Sequence, residues 1–203
     1  MNNLVIIGAS AMGRETCAYA YDCGLIVRGF LDSRSSILDG YDEYPPILGS
    51  VEEYTPGKDD VFVCAVGEPD EKKQYVDNIL CKGGRFISVI HPSAYVGKNV
   101  DIDCGCIVAP SSTITADVKI GKHVIVNVSS SISHDCSIGD FVSISPGCHI
   151  AGWCTIGTNV FIGVHSTLIP HVTLCNGVYV AAGAVVTKSV ESGRVMGIPA
   201  IKK

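Results

Sequence analysis

From Val96 to Val186 every sixth residue is a branched aliphatic: Val96, Ile102, Val108, Ile114, Ile120, Val126, Ile132, Ile138, Ile144, Ile150, Ile156, Ile162, Leu168, Leu174, Val180 and Val186. A helix repeats its buried face about every 3.6 residues and a strand every second residue, so neither writes a strict period of six. A three-sided β-coil does, because each six-residue unit supplies one flat side. Two companion columns agree. The residue after the aliphatic one is usually small, as at Gly97, Ala109, Gly121, Gly139, Gly157 and Gly163, and four positions on stands a second small or β-branched residue, as at Cys106, Ser112, Val118, Ser130 and Cys148. Both columns predict a narrow prism whose interior excludes larger side chains.

The first ninety residues carry a different rhythm. Asn3 to Ile7 reads as a buried parallel strand, followed by the glycine-containing turn Gly8-Ala9-Ser10-Ala11-Met12-Gly13 and a helix to about Cys23. Such a turn brings backbone N–H groups at a helix N-terminus toward an anion, although Ser10 occupies the place of the second glycine of G-x-G-x-x-G. A second strand, Ile26 to Leu31, ends at Asp32, where doubly wound folds place a ribose- or base-recognising carboxylate and where an ordinary turn residue fits equally. After a loop with Tyr44-Pro45-Pro46 come a strand from Asp60 to Val66 ending at Gly67, a helix from Pro69 to Cys81 closed by Gly83-Gly84, and a last strand from Phe86 to Ile90. The pattern predicts an α/β Rossmann-like domain over 1–92, its crevice lined by Ser10, Asp32 and Gly67, and a β-helix over 93–203. Crevices of this type hold nucleotides.

Composition narrows the function classes. A net charge of -5 over 203 residues, with no basic patch in the repeats, excludes a dedicated nucleic-acid binder. Leu4 to Ala9 lacks the basic leader of a signal peptide, and no apolar run is long enough to span a membrane, so a cytoplasmic protein is expected. The ten cysteines would suggest disulfides in a small secreted chain, but Cys106, Cys136, Cys148 and Cys154 fall on the small-residue column, which favours packing. No C-x-x-C pair is present, and no structural metal is expected.

With three units to a coil, residues eighteen apart stack vertically. His134 then faces outward with Ala116 below and Gly152 above, unshaded by any bulky neighbour, and the adjacent Asp135 is placed to orient its ring or to stabilise the imidazolium. A solvent-exposed corner histidine fits the same position. His123, His165 and His171 are expected outward, three places after their aliphatic residues, and His149 at a corner; none is followed by a carboxylate. His91 precedes Pro92 at the domain junction and reads as structural. Trp153, above Asp135, faces outward toward a ligand or, by preference, a neighbouring subunit.

The repeat, the run Ser133-His134-Asp135-Cys136-Ser137-Ile138-Gly139-Asp140-Phe141 and the ending Met196-Gly197-Ile198-Pro199-Ala200 resemble the hexapeptide-repeat acyltransferases with a left-handed parallel β-helix. The Gly8-Ala9-Ser10 domain narrows the resemblance to the branch of nucleotide-aminosugar N-acetyltransferases and sialic acid O-acetyltransferases. The resemblance implies His134 as general base with Asp135 raising its basicity. It implies that Ser10, Ala11, Met12, Asp32, Ser33 and Gly67 hold the nucleotide of a sugar donor. It further implies acetyl-CoA lying between two subunits of a homotrimer against Gly152, Val164 and Ala182. Two departures stand out: Ala11-Met12 replaces a Gly-Gly-His or Ser-Gly-His turn, and Ser143 occupies the place of a histidine found near acetyl-CoA.

The reading is therefore an acetyl-CoA-dependent N-acetyltransferase acting on a nucleotide-linked deoxysugar, with the 4-amino group as acceptor. His134 takes the amine proton during direct attack on the thioester, and a backbone N–H near Gly152 receives the oxyanion. Two alternatives stand beside it: a sugar O-acetyltransferase of the sialic acid type, and a non-catalytic trimeric scaffold with a ligand-sensing first domain.

Overall fold

The structure, a computed structural model, describes residues 3–197; Ile198-Pro199-Ala200 of the C-terminal motif lie outside them. Among the described residues no helix is long and apolar enough to cross a membrane.

The chain opens with β1 (Asn3–Ile7), α1 (Ala11–Asp22), β2 (Ile26–Leu31), β3 (Ile47–Gly49), β4 (Asp60–Cys64) and α2 (Pro69–Cys81). The four strands form one parallel sheet in the order β3-β2-β1-β4. Side chains of β1 alternate across this sheet: Leu4 and Ile6 join Cys17 and Ala20 of α1, whereas Val5 and Ile7 join Val76 and Ile79 of α2. Burial on both faces explains the continuous apolar run of β1, since a crossover helix covers each side of a parallel sheet. Gly8 turns the chain out of β1 with φ +90°, a conformation that costs a residue with a Cβ about 1–2 kcal/mol. The short β3 is absent from the sequence reading, which treats its stretch as loop after Pro45-Pro46. The β4 strand closes at Cys64, two residues before the expected Val66.

The expected strand from Phe86 to Ile90 divides between the two halves of the molecule. Phe86 makes a single bridge to Phe62 at the sheet edge, while Val89–Ile90 pairs with Ile107–Val108 as the first rung of the β-helix. Ile90 lies on the six-residue grid one step before Val96, so the coil claims it.

From there two-residue rungs build three parallel sheets of seven, six and five strands, each strand pairing with the one eighteen residues on along most of the coil. The grid aliphatics from Val108 to Val186 and their companion column form one buried cluster. In that column serine and cysteine do the same work: Ser130 Oγ donates to the Ser145 carbonyl at 2.9 Å and Cys148 Sγ to the Gly163 carbonyl at 3.1 Å. The cysteines thus fill a small site and satisfy a buried carbonyl.

Each corner turns at the third residue after the aliphatic, which adopts a left-handed backbone. Asp117, Asp135, Trp153 and His171 do so on one edge with φ between 57° and 64°. The strain is offset because the corner N–H reaches the coil below, Asp135 N to Ala116 O at 3.1 Å and Trp153 N to His134 O at 3.0 Å. The α/β domain sits on the seven-strand face. Val89, Ile107, Ala109 and Ile125 join the α1 cluster, and His91 Nε2 meets Asp22 Oδ2 at 3.0 Å, the structural junction role expected of His91.

Candidate active site

The corner after Ser131–Ile132 holds His134, whose Nδ1 lies 2.8 Å from Asp135 Oδ2, both side chains about half exposed. One coil above, Gly152 leaves room for the ring: a Cβ there would stand 2.7 Å from His134 Cε1, closer than real Cβ contacts occur. The openness expected around His134 holds on the Gly152 side and fails at Trp153. The indole stands perpendicular to the imidazole, 4.4 Å between centroids, and stacks on His171 at 5.0 Å. Corner residues stack every eighteen, so the large side chain above Asp135 reaches the histidine beside it.

The other histidines divide. His165 and His171 are exposed corner residues as expected. His149 lies in a rung, not at a corner, and its Nδ1 meets Ser131 Oγ at 2.9 Å. His123, expected outward, is buried, stacked on Phe141 and edge-on to Phe86. The docked first domain supplies Phe86 and covers this corner. Burial pushes the His123 pKa down to about 4, with the nearby Lys72 charge acting in the same direction.

In the first domain a cavity of about 480 Å³ opens at the strand ends, and Ser10, Asp32, Ser33 and Gly67 line it together. Ala11 and Met12 do not; Ala11 is exposed, and Met12 packs toward the β-helix with its Sδ 3.7 Å from Asn127 Nδ2. Asp32 is engaged within the chain. Its Oδ2 accepts the Ala9 N–H at 3.0 Å, and its two oxygens grip Arg34 Nε and Nη2, each at 2.9 Å. Burial alone would raise the Asp32 pKa, but the hydrogen bonds from Arg34 and Ala9 together with the Arg34 charge hold it below the ordinary carboxylate range. The result is a fixed, solvent-facing guanidinium on the cavity wall. Sequence reasoning missed Arg34, two residues past the strand end, although its place beside a possible anion site was a usable signal. Glu68, which precedes α2, and Glu71 in its first turn line the cavity as well.

The residues expected around acetyl-CoA fall in three places. Gly152 is at the His134 corner. Val164 and Ala182 stand exposed at the neighbouring corner, across the six-strand face. Ser143 is enclosed on the seven-strand face, 3% exposed, where the Lys72 ammonium donates to its Oγ at 2.8 Å and to the Val142 carbonyl at 3.2 Å. Reaching Ser143 would mean displacing Lys72, itself fully buried and driven by desolvation down to a pKa of about 7. Lys72 of α2 thus stands over Ser143, the residue expected beside the cofactor. Among the described residues no group of three or more His, Cys, Asp or Glu is arranged to hold a metal ion.

Comparison with known proteins matches both halves. The PglD N-terminal domain matches residues 3–79, and the bacterial transferase hexapeptide (six repeats) matches residues 135–169 and 154–188. No curated protein sequence matches the chain. Among solved structures, the acetyltransferase domain of PglB from Neisseria gonorrhoeae is 29% identical with a TM-score of 0.88, covering 97% of each chain. That domain has also been solved in complex with acetyl coenzyme A. PerB from Caulobacter crescentus, in complex with CoA and GDP-perosamine, is 26% identical with a TM-score of 0.88, covering 100% of this chain and 98% of its own. WeeI from Acinetobacter baumannii is 28% identical with a TM-score of 0.74, covering 97% of each chain. With both domains and nearly the whole length accounted for, the chain is an acetyl-CoA-dependent sugar acetyltransferase of the hexapeptide-repeat type.

Proposed function

We propose that the chain transfers the acetyl group of acetyl-CoA to the 4-amino group of a nucleotide-linked deoxysugar, with His134 as general base. The observation that carries the reading is the His134 Nδ1–Asp135 pair at 2.8 Å, in an opening that exists only because residue 152 is glycine. With Nδ1 donating to Asp135, Nε2 is left as the base. It takes the proton of the amine as nitrogen attacks the thioester carbonyl, and the imidazolium then returns it to the departing CoA thiolate. Asp135 stabilises the imidazolium during that interval. The Gly152 N–H makes no hydrogen bond among the described residues and is available to the oxyanion.

The nucleotide is assigned to the first-domain cavity, with Ser10, Ser33 and Gly67 at the turn ends and Arg34 toward a phosphate. PerB, similar over its whole length, binds GDP-perosamine, a nucleotide aminosugar, which supports the same substrate class here. The working unit we assign is a homotrimer with sites between subunits. Gly152 lies on one prism edge and Val164 and Ala182 on another, so one cofactor reaching both sets is most simply held by two chains. The exposed apolar residues Tyr95, Trp153, Val164, Ile169 and Val185 also cluster on the six-strand face and its two edges, as an interface between subunits requires.

The test is CoA release with acetyl-CoA and a panel of UDP-, GDP- and dTDP-linked 4-amino sugars alongside sialic acid. Turnover of one nucleotide-linked amine supports the proposal. Turnover of sialic acid alone moves the assignment to O-acetylation, and failure to bind CoA revives the scaffold.

A further inference from the structure

His134 projects from a half-exposed corner, where the repeat itself does nothing to stop its ring from turning. Asp135 holds one atom of that ring, Nδ1. The indole of Trp153 meets the ring at 88° with 4.4 Å between centroids, and His171 backs the indole in parallel, 7° from coplanar. Backbone bonds tie these three residues and Gly152 into one ladder, Trp153 N to His134 O at 3.0 Å and His171 N to Gly152 O at 3.1 Å. The column Asp135, Trp153, His171 repeats at the coil period, so the brace is anchored to the prism and not to a mobile loop.

We propose that Trp153, backed by His171, is a positioning residue for the transfer step: its perpendicular indole fixes the plane of the His134 ring so that Nδ1 stays on Asp135 and Nε2 faces the acceptor amine. A lone hydrogen bond at a half-exposed site leaves the ring plane turned away from Asp135 for part of the time, and the Nδ1–H tautomer then loses its acceptor. A perpendicular aromatic contact biases one orientation by a few-fold to about tenfold more. Rings turned out of plane lose that tautomer and aim Nε2 away from the amine, so the lost occupancy appears in the rate and not in ligand affinity. An interface filler at the same place would act through assembly and leave the imidazole unchanged. The inference rests on His134 being the base.

The test combines steady-state kinetics with nitrogen NMR of the His134 imidazole. In the wild type a single Nδ1–H tautomer is expected. Trp153→Ala is expected to show a mixture of tautomers, a kcat lower by about 5- to 10-fold, and KM values for acetyl-CoA and acceptor within about twofold of wild type. Trp153→Phe restores both readouts, and His171→Ala moves them in the same direction by less. The spectra are recorded at concentrations where the variant has the wild-type sedimentation coefficient, which separates the brace from subunit contact. An unchanged tautomer ratio in Trp153→Ala overturns the proposal whatever happens to turnover. Full turnover by His134→Ala would instead remove the general-base reading and leave the tautomer result standing, so the two failures are distinguishable.

Discussion

Gly152 and His134 share one space: the imidazole of one coil occupies the volume that a side chain on the next would need, 2.7 Å from Cε1 to the missing Cβ. Gly152→Ala must therefore push the ring off Asp135 or push the coil apart. A displacement near 1 Å at a reacting group costs on the order of 10²-fold. The expected outcome is a kcat lower by about that factor, with a thermal midpoint within a few degrees of wild type. Kinetics and a melting curve on the same preparation check both halves.

Arg34 is held toward the first-domain cavity by Asp32 through paired bonds of 2.9 Å. A charge-assisted contact to a phosphate contributes about 1.5–3 kcal/mol, or roughly 10- to 100-fold in affinity. Arg34→Ala should raise KM for the nucleotide-linked acceptor by about tenfold or more and leave KM for acetyl-CoA unchanged. Asp32→Asn should give a smaller change in the same direction, because the guanidinium loses its anchor. Equal rises in both KM values would place the nucleotide elsewhere.

His123 makes stability depend on pH. Its pKa in the fold is about 4, against 6.5 when unfolded, because burial disfavours the charged ring. Above about pH 6.5 neither state binds the proton and nothing changes. As pH falls from there to about 4 the unfolded chain takes up a proton that the native ring refuses, and stability is lost. The full effect is roughly 3 kcal/mol. Phe141 adopts the same left-handed corner one coil above, so His123→Phe preserves the local backbone. The difference in unfolding free energy between wild type and His123→Phe should shrink or reverse across this window, measured by urea denaturation. A difference that stays constant from about pH 7 to 4 contradicts the buried neutral ring.

The prism was legible because its interior admits only aliphatic and small residues, and that restriction is written at every sixth position from Val96 to Val186. The elements of the first domain were legible for a similar reason, since β1 and β4 are buried on both faces. What escaped depends on contacts between distant segments. Ser143 is covered by Lys72, 71 residues away along the chain, and His123 by Phe86, so neither burial shows in the local pattern. The left-handed corners escaped because Asp135, Trp153 and His171 satisfy them through backbone bonds to another coil, where glycine would have announced them. At the site, the pairing of His134 with Asp135 followed from their adjacency, and the opening at Gly152 from stacking eighteen residues apart. The Trp153 brace needed side-chain directions that spacing does not supply.

Whether His134 is the base for acetyl transfer is decided by His134→Ala, assayed with acetyl-CoA and the nucleotide-linked amine that the wild type turns over best. The expected result is a kcat lower by about 10²- to 10⁴-fold, with CoA binding and the thermal midpoint retained. Near wild-type turnover by a well-folded His134→Ala would contradict it.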